Sequence, residues 1–145
     1  MTVENITPGD SSKFSAVREI VKLHFGGLGV RSLVYCYQVA PSLTFCCELE
    51  DQIVGVCFGF PSLADDEVAI LECLAVLPSY TGRRIGTRLL TAFENAASKS
   101  GFTFAQLGTS KDVASKFYLQ RGYEIGTVQQ LPDTSYLTVF KKLKQ

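Results

Sequence analysis

The spacing of apolar residues predicts three helices. The first follows a capping Asp10 or Ser11, ends at Gly26-Gly27 and has apolar residues at helical intervals: Phe14, Val17, Ile20, Val21 and Leu23. The clearest helix runs over residues 82–100 and presents one apolar face, made of Ile85, Leu89, Phe93 and Ala96. A glycine at position 101 ends this helix, and a shorter helix is predicted over residues 112–120.

Apolar runs of strand length alternate with these helices. They cover residues 3–6, 43–49, 53–60, 68–77, 102–107, 123–130 and 136–143. A turn over residues 7–10 closes the first strand, Glu50-Asp51-Gln52 joins the second and third, and a polar, acidic loop covers residues 61–67. Residues 28–40 fit either a second short helix or an irregular arm that stops at Pro41. The element order predicts a mixed α/β fold, with residues 1–145 forming one domain.

Composition excludes several function classes. The chain has 14 Lys and Arg against 14 Asp and Glu, and this balance argues against a nucleic-acid binder or a protein that adheres to membrane surfaces. No apolar run approaches the roughly 20 residues that span a bilayer. The first residues lack the basic patch and apolar stretch of a signal peptide, so a cytoplasmic location is expected.

Cysteine and histidine usage narrows the chemistry further. The five cysteines include no C-x-x-C pair, and three of them (Cys46, Cys57 and Cys73) lie within apolar runs where a thiol acts as a small hydrophobe. His24 is the single histidine, so a Ser-His-Asp or Cys-His mechanism would depend on it alone. Neither a metal site nor a hydrolase is indicated.

The segment from Leu74 to Thr87 is the strongest candidate for a ligand site. A buried strand leads through Pro78 into a loop with Gly82 and Gly86, and then into a long helix. Free amides at such a helix start bind phosphate or pyrophosphate, and Arg83, Arg84 and Arg88 add positive charge. The competing interpretation is that these glycines serve the turn and these arginines a solvated face. The sequence contains neither a G-x-x-x-x-G-K-[ST] loop nor a G-x-G-x-x-G fingerprint after a first strand.

Two motifs of this sequence, one after the other, resemble motifs of the GNAT superfamily of N-acetyltransferases. The first is Val76-x-Pro78-x-Tyr80-x-Gly82-x-x-Ile85-Gly86-x-x-Leu89-Leu90, which is similar to the family's acyl-CoA-binding motif. The second is Ala114-x-x-x-Tyr118-x-x-x-Gly122-Tyr123, and the hairpin carrying Ile53-Val54-Gly55 is a further common feature. The resemblance implies the GNAT fold, a central mixed, mostly antiparallel sheet flanked by about four helices. It also implies acetyl-CoA as co-substrate, with no metal.

The resemblance implies roles for individual residues. Backbone groups of Leu74 and Val76 would pair with the pantetheine arm like an added strand. Tyr118 would act as general acid toward the leaving thiolate, and Glu72 would accept the proton of the amine directly or through water. The remaining CoA-binding positions are the pyrophosphate loop and a position where the family often has Asn: Gly82, Arg83, Arg84, Ile85, Gly86, Thr87 and Lys111.

Two positions depart from the family pattern. Thr81 stands where the family has Arg or Gln, and Arg84 stands at the family's first loop glycine. If that backbone needs a positive φ, an arginine costs about 1 kcal/mol or more. If it needs only close approach, the Arg84 side chain can point away while its amide still serves.

Each catalytic candidate has a structural alternative. Tyr118 could be a core tyrosine whose hydroxyl bonds to backbone. Glu72, within an apolar strand, must face a cleft or pair with an arginine, because an isolated buried carboxylate is costly.

Three functions follow from these residues. The first is acetyl transfer from acetyl-CoA to a primary amine by direct attack, on a small-molecule or peptide acceptor, by a monomer or homodimer. The second is a non-catalytic CoA-binding or interaction module, and the third is an ordinary nucleotide-binding domain. Residues 28–40 match the family's acceptor-lining region, and the acidic cluster Asp65-Asp66-Glu67 could attract a cationic amine.

Overall fold

The computed structural model describes residues 1–6 and 10–144. Its strands are β1 Thr2–Asn5, β2 Thr44–Leu49, β3 Gln52–Pro61, β4 Val68–Val76, β5 Phe104–Ser110, β6 Glu124–Gln130 and β7 Ser135–Lys142. Its helices are α1 Ser11–Val39, α2 Ile85–Lys99 and α3 Lys111–Val113, which continues through a π-helical turn, Ala114–Tyr118, and a 3₁₀ turn, Leu119–Arg121. The turn predicted over residues 7–10 lies outside the described residues except for Asp10, whose carboxylate accepts the Lys13 amide at 3.0 Å and caps α1.

All seven strands form one mixed sheet in the order β1-β2-β3-β4-β5-β7-β6. Every neighbouring pair is antiparallel except β4 and β5, which are parallel. Their pairing begins at Val68 and Phe104 and ends at Ile70 and Gln106, although both strands continue beyond it. The sheet therefore opens into a wedge-shaped gap between the C-terminal halves of β4 and β5.

The first helix is broken rather than ended at its glycines. Gly26 adopts φ 68° and ψ −159°, and the helix resumes and runs on to Val39. Residues 28–40 are thus mainly helical, which selects the first of the two sequence alternatives. In the described residues the sheet is flanked by three helices, one of them broken, where about four were expected.

The two faces of the sheet carry separate cores. On one face α1 packs over β3 and β4, burying Val17, Val21 and Leu33 against Val56 and Phe58. On the other face α2 packs through the apolar face that the sequence predicts, with Ile85, Leu89 and Phe93 fully buried. Within the described part of the chain, no helix has the length and apolar character to cross a membrane.

Some element boundaries differ from the sequence prediction. The helix α2 begins at Ile85 rather than Gly82, because Arg84 adopts φ 63°, ψ 17° and stands outside the helix as its N-cap. The strand β5 begins at Phe104 instead of Phe102 and extends to Ser110. The β2–β3 turn holds Glu50 and Asp51 at φ 55° and 62°, the left-handed conformation that a two-residue hairpin turn requires.

Candidate active site

The gap between β4 and β5 exposes backbone groups of β4. The Leu77 amide donates to the Val54 carbonyl on β3 at 2.8 Å. Because backbone groups point alternately to the two sides of a strand, those of Leu74 and Val76 point away from β3 and into the gap. An extended ligand chain entering the gap would find the edge of β4 available for strand-like pairing.

The N-terminus of α2 adjoins this gap. The first intrahelical hydrogen bond runs from the Arg88 amide to the Arg84 carbonyl at 3.1 Å. The amides of Ile85, Gly86 and Thr87 therefore have no partner within the helix, and the dipole of this 15-residue helix favours an anion beside them. Gly82, at φ 80°, turns the chain just before this point.

Two adjoining cavities occupy the gap and the helix start. One, of about 790 Å³, extends along the β4 edge to α3, and the other, of about 360 Å³, lies at the first turn of α2. They share Val76, Thr81, Gly82, Gly86 and Phe117 as walls. We call the continuous depression formed by both cavities the donor cleft.

Arg121 is a residue of the donor cleft that the sequence analysis did not single out. Its Nε donates to the Thr87 hydroxyl and its Nη1 to the Phe117 carbonyl, both at 2.9 Å. Its guanidinium carbon lies 4.0 Å from the centre of the Phe117 ring. Arg121 thus links α3 to the first turn of α2 and holds a positive charge beside the free amides. Its position just before Gly122 in the second motif was the available signal.

Tyr118 lines the inner part of the donor cleft. Its ring packs against Phe117 and Tyr123, and burial raises the pKa of its phenol well above the ordinary value. Its hydroxyl makes no hydrogen bond within the described part of the chain, where no fully enclosed side-chain oxygen lacks a partner. The hydroxyl therefore keeps some exposure, unlike that of a core tyrosine bonded to backbone, although Tyr118 as a whole is only 7% exposed.

Glu72 projects into a different cavity. Phe58 pairs with Cys73 and Gly59 with Leu71, so Glu72 is the extra residue of a β-bulge in β4. The bulge turns Glu72 toward α1, where it lines a cavity of about 260 Å³ with Phe25, Leu28 and Ser32. The structure does not bring Glu72 and Tyr118 into one cavity.

The family of this chain follows from its sequence match. Residues 40–125, more than half of the chain, match the model of the acetyltransferase (GNAT) domain. The chain belongs to the GNAT family. The resemblance to acetyl-CoA-dependent N-acetyltransferases and the expected fold are both confirmed.

Individual relatives of this GNAT chain are distant. An amino-acid acetyltransferase of Pasteurella multocida (strain Pm70) is 28% identical over 83 residues, which are 57% of this chain and 18% of that protein. The chain thus spans less than a fifth of the length of this curated relative.

Solved structures resemble the whole GNAT chain. An aminoglycoside 6'-N-acetyltransferase complexed with coenzyme A has a TM-score of 0.85 at 16% identity, covering 100% of this chain and 98% of the other. The ribosomal-protein-S18-alanine N-acetyltransferase from Escherichia coli has a TM-score of 0.79 at 16% identity, covering 99% and 94%. At these identities the similarity concerns the fold.

The other predicted binding residues of this GNAT chain divide into two groups. Arg84 lines the donor cleft at the first turn of α2, together with Ile85 and Thr87. Arg83 is exposed and stacks on the Tyr80 ring at 5.1 Å, and Lys111 lines a separate cavity beside β6 and β7. For Arg83 and Lys111 a role in CoA binding remains a prediction from the sequence.

The donor cleft of this GNAT chain fits coenzyme A. Free amides and two arginines suit a pyrophosphate, and an open strand edge suits an amide-bearing arm. A Cβ added at Gly86 would lie 3.5 Å from the Phe117 ring, an ordinary contact distance, so the backbone here is open to a ligand on its other side. Among the described residues, no group of three or more His, Cys, Asp or Glu side chains could hold a metal ion.

Proposed function

We propose that this protein transfers the acetyl group of acetyl-CoA to a primary amine by direct attack of the amine nitrogen on the thioester carbonyl. The observation that carries the proposal is the meeting of the open β4 edge with the free amides of α2 in one cleft. Backbone groups of Leu74 and Val76 bind the pantetheine arm. The amides of residues 85–87, with Arg84 and Arg121, bind the pyrophosphate.

Tyr118 is proposed to protonate the leaving thiolate. Tyr118 lines the donor cleft, and its phenol is protonated at neutral pH, although burial raises its pKa and so makes it a weaker acid than an exposed tyrosine. The proton passes to the CoA sulfur as the carbon–sulfur bond breaks, and the second proton lost by the attacking nitrogen restores the Tyr118 phenol. Glu72 is proposed to take a proton from the incoming ammonium, directly or through water, because it is exposed on β4, the strand that carries Leu74 and Val76.

Thermal denaturation with CoA tests the donor site. Ligand at about 100 times its dissociation constant adds about 2.7 kcal/mol to the free energy of unfolding. CoA and acetyl-CoA should therefore raise the melting temperature, while ATP and NAD should not. A melting temperature that millimolar CoA leaves unchanged would refute the proposal, and stabilisation by ATP or NAD alone would favour a nucleotide-binding domain.

Release of free thiol from acetyl-CoA in the presence of an amine panel tests turnover. We expect thiol release that depends on an added primary amine and on the protein. The second candidate function is a CoA-binding module without transfer. It is supported by the location of Tyr118 and Glu72 in separate cavities. CoA binding with no amine-dependent thiol release would identify that module.

A further inference from the structure

The cavity beneath Glu72, which we call the α1 cavity, is lined by one carboxylate and several apolar residues. Its walls come from the part of α1 around the break at Gly26 and from β3 and β4. At about 260 Å³ it is below the roughly 300–1,000 Å³ of sites for drug-sized molecules. A small ligand, or one end of a larger one, fits this volume.

Glu72 is the only charged residue among the described residues that line the α1 cavity. It forms no ion pair and no hydrogen bond with any residue in the described ranges. Of the described residues that line the cavity, none is Lys, Arg or His; Arg31 and His24 lie on α1 but not in the lining. The cavity therefore attracts one cation and offers no partner to an anion.

Apolar side chains form most of the remaining wall. Phe58 lies at the buried side, while Phe25 and Leu28 stay 51% and 77% exposed at the α1 side. At the rim of a concave site these exposed apolar side chains offer packing surface to an apolar group of a ligand. The break at Gly26 separates Phe25 from Leu28, so the two side chains meet at the cavity from two helical segments.

The acidic cluster Asp65-Asp66-Glu67 does not extend this site. The Asp65 carboxylate accepts the Glu67 amide at 2.9 Å, and Glu67 accepts the Thr103 hydroxyl at 3.0 Å, so both carboxylates fix the loop before β4. That loop lies at the end of β4 where it still pairs with β5, away from the gap. A polycation would find one carboxylate in the α1 cavity, not several.

The α1 cavity lies close to the donor cleft. Glu72 and Leu74 are two residues apart on β4, so they are near neighbours along the strand. Leu74 lines the donor cleft, where its backbone faces the gap. An amine held by Glu72 therefore lies beside the same stretch of β4 that lines the donor cleft.

We propose that the acceptor is a primary monoamine with a small apolar body, such as an arylalkylamine or alkylamine. This inference rests on the proposed function. Its ammonium group pairs with Glu72, and its apolar body lies against Phe25, Leu28 and Phe58. Amino acids are disfavoured because their carboxylate would lie beside Glu72 without a cationic partner. Polyamines are disfavoured because their second charge would face apolar walls.

Isothermal titration of amines into the protein saturated with CoA tests this proposal without requiring turnover. The probes are 2-phenylethylamine, phenylalanine, which adds a carboxylate to the same skeleton, and spermidine. We expect 2-phenylethylamine to bind about tenfold or more tightly than either of the others. Equal or tighter binding of phenylalanine or spermidine, or no binding of 2-phenylethylamine, would overturn the proposal.

Leu28→Ser locates the binding site. Because Leu28 is mostly exposed, the variant should fold and bind CoA normally, while its dissociation constant for 2-phenylethylamine rises about tenfold. Leu63→Ser is the matched control, since Leu63 is 89% exposed in the loop between β3 and β4 and does not line the cavity. Equal effects of the two substitutions would contradict the site.

Thiol release with the same amines separates this proposal from the acetyltransferase proposal. Binding in the expected order without thiol release would support the α1 cavity and refute transfer. Thiol release that is fastest with spermidine or phenylalanine would support transfer and refute the acceptor class.

Discussion

Arg84 holds a conformation that costs folding energy. Its backbone lies at φ 63°, ψ 17°, its side chain is exposed, and it makes no side-chain hydrogen bond as the N-cap of α2. A non-glycine residue in the left-handed region costs about 1–2 kcal/mol, whereas glycine adds about 0.5–1 kcal/mol of backbone entropy to the unfolded chain. Arg84→Gly should therefore raise the free energy of unfolding by about 0.5–1 kcal/mol.

The expected change in melting temperature follows from the length of the chain. An unfolding entropy of about 2.1 cal/mol/K per residue gives about 0.3 kcal/mol/K for the whole chain, so the midpoint should rise by about 2–3 °C. Thermal denaturation followed by circular dichroism, without ligand, measures this shift. Calorimetric titration with CoA measures the loss of the cation, for which we expect a dissociation constant up to about fivefold higher.

Two control variants separate the backbone effect from the side-chain effect. Arg84→Ala removes the same cation but keeps the strained conformation, so it should weaken CoA binding equally without raising the melting temperature. Arg83→Gly changes the neighbouring exposed arginine, which is not among the described residues with a positive φ, and should lower the melting temperature. A melting temperature of Arg84→Gly at or below that of Arg84→Ala would refute the strain argument.

Three further predictions concern the donor cleft and the cysteines. Gly86→Asp should raise the dissociation constant for CoA more than tenfold with little change in melting temperature, whereas Gly86→Ala, whose Cβ meets only the Phe117 ring at ordinary contact distance, should bind CoA nearly as the parent does. Tyr118→Phe should lower kcat by about 10²-fold at an unchanged KM for acetyl-CoA, and an unchanged kcat would leave the acid unidentified. Burial raises the pKa of both Cys36 and Cys73 to about 12, so these thiols stay protonated in the folded protein while they ionise in the unfolded chain above pH 9. The free energy of unfolding should therefore be constant below pH 9 and fall between pH 9 and 11, by up to about 1.4 kcal/mol per pH unit for each thiol. Urea denaturation of the reduced protein measures this fall. A constant midpoint over that range would contradict this burial effect.

The sequence identifies those parts of the site that local patterns determine. The apolar face of α2 repeats at helical spacing, and a proline and two glycines precede it, so the helix and its loop are recognisable without knowing their neighbours. The same holds for Tyr118, which lies within a motif of fixed spacing. In the structure Gly82, Gly86 and Tyr118 line one cleft beside β4, while their roles in binding and catalysis stay predictions.

Features that depend on pairing between distant segments could not be predicted. The gap exists because β4 and β5 stop pairing after Ile70 and Gln106, which are far apart in the chain. The side to which Glu72 points depends on a bulge between β3 and β4, and no local pattern marks it. For Arg84 the sequence left open whether the backbone has a positive φ or only approaches the ligand closely. The structure shows a positive φ, which arginine itself does not favour.

The bulge at Glu72 has a consequence for the proposed chemistry. Direct transfer needs a group that takes a proton from the amine and another that gives one to the thiolate, and the two act on opposite sides of the carbonyl carbon. Tyr118 packs in the core on the α2 face of the sheet, while the bulge turns Glu72 to the α1 face. A regular β4 would place Glu72 on the same face as Leu74 and Val76, since residues two apart share a face. The bulge therefore places Glu72 and Tyr118 on opposite faces of β4, and the proposed transfer requires the thioester to lie across the β4 edge between them.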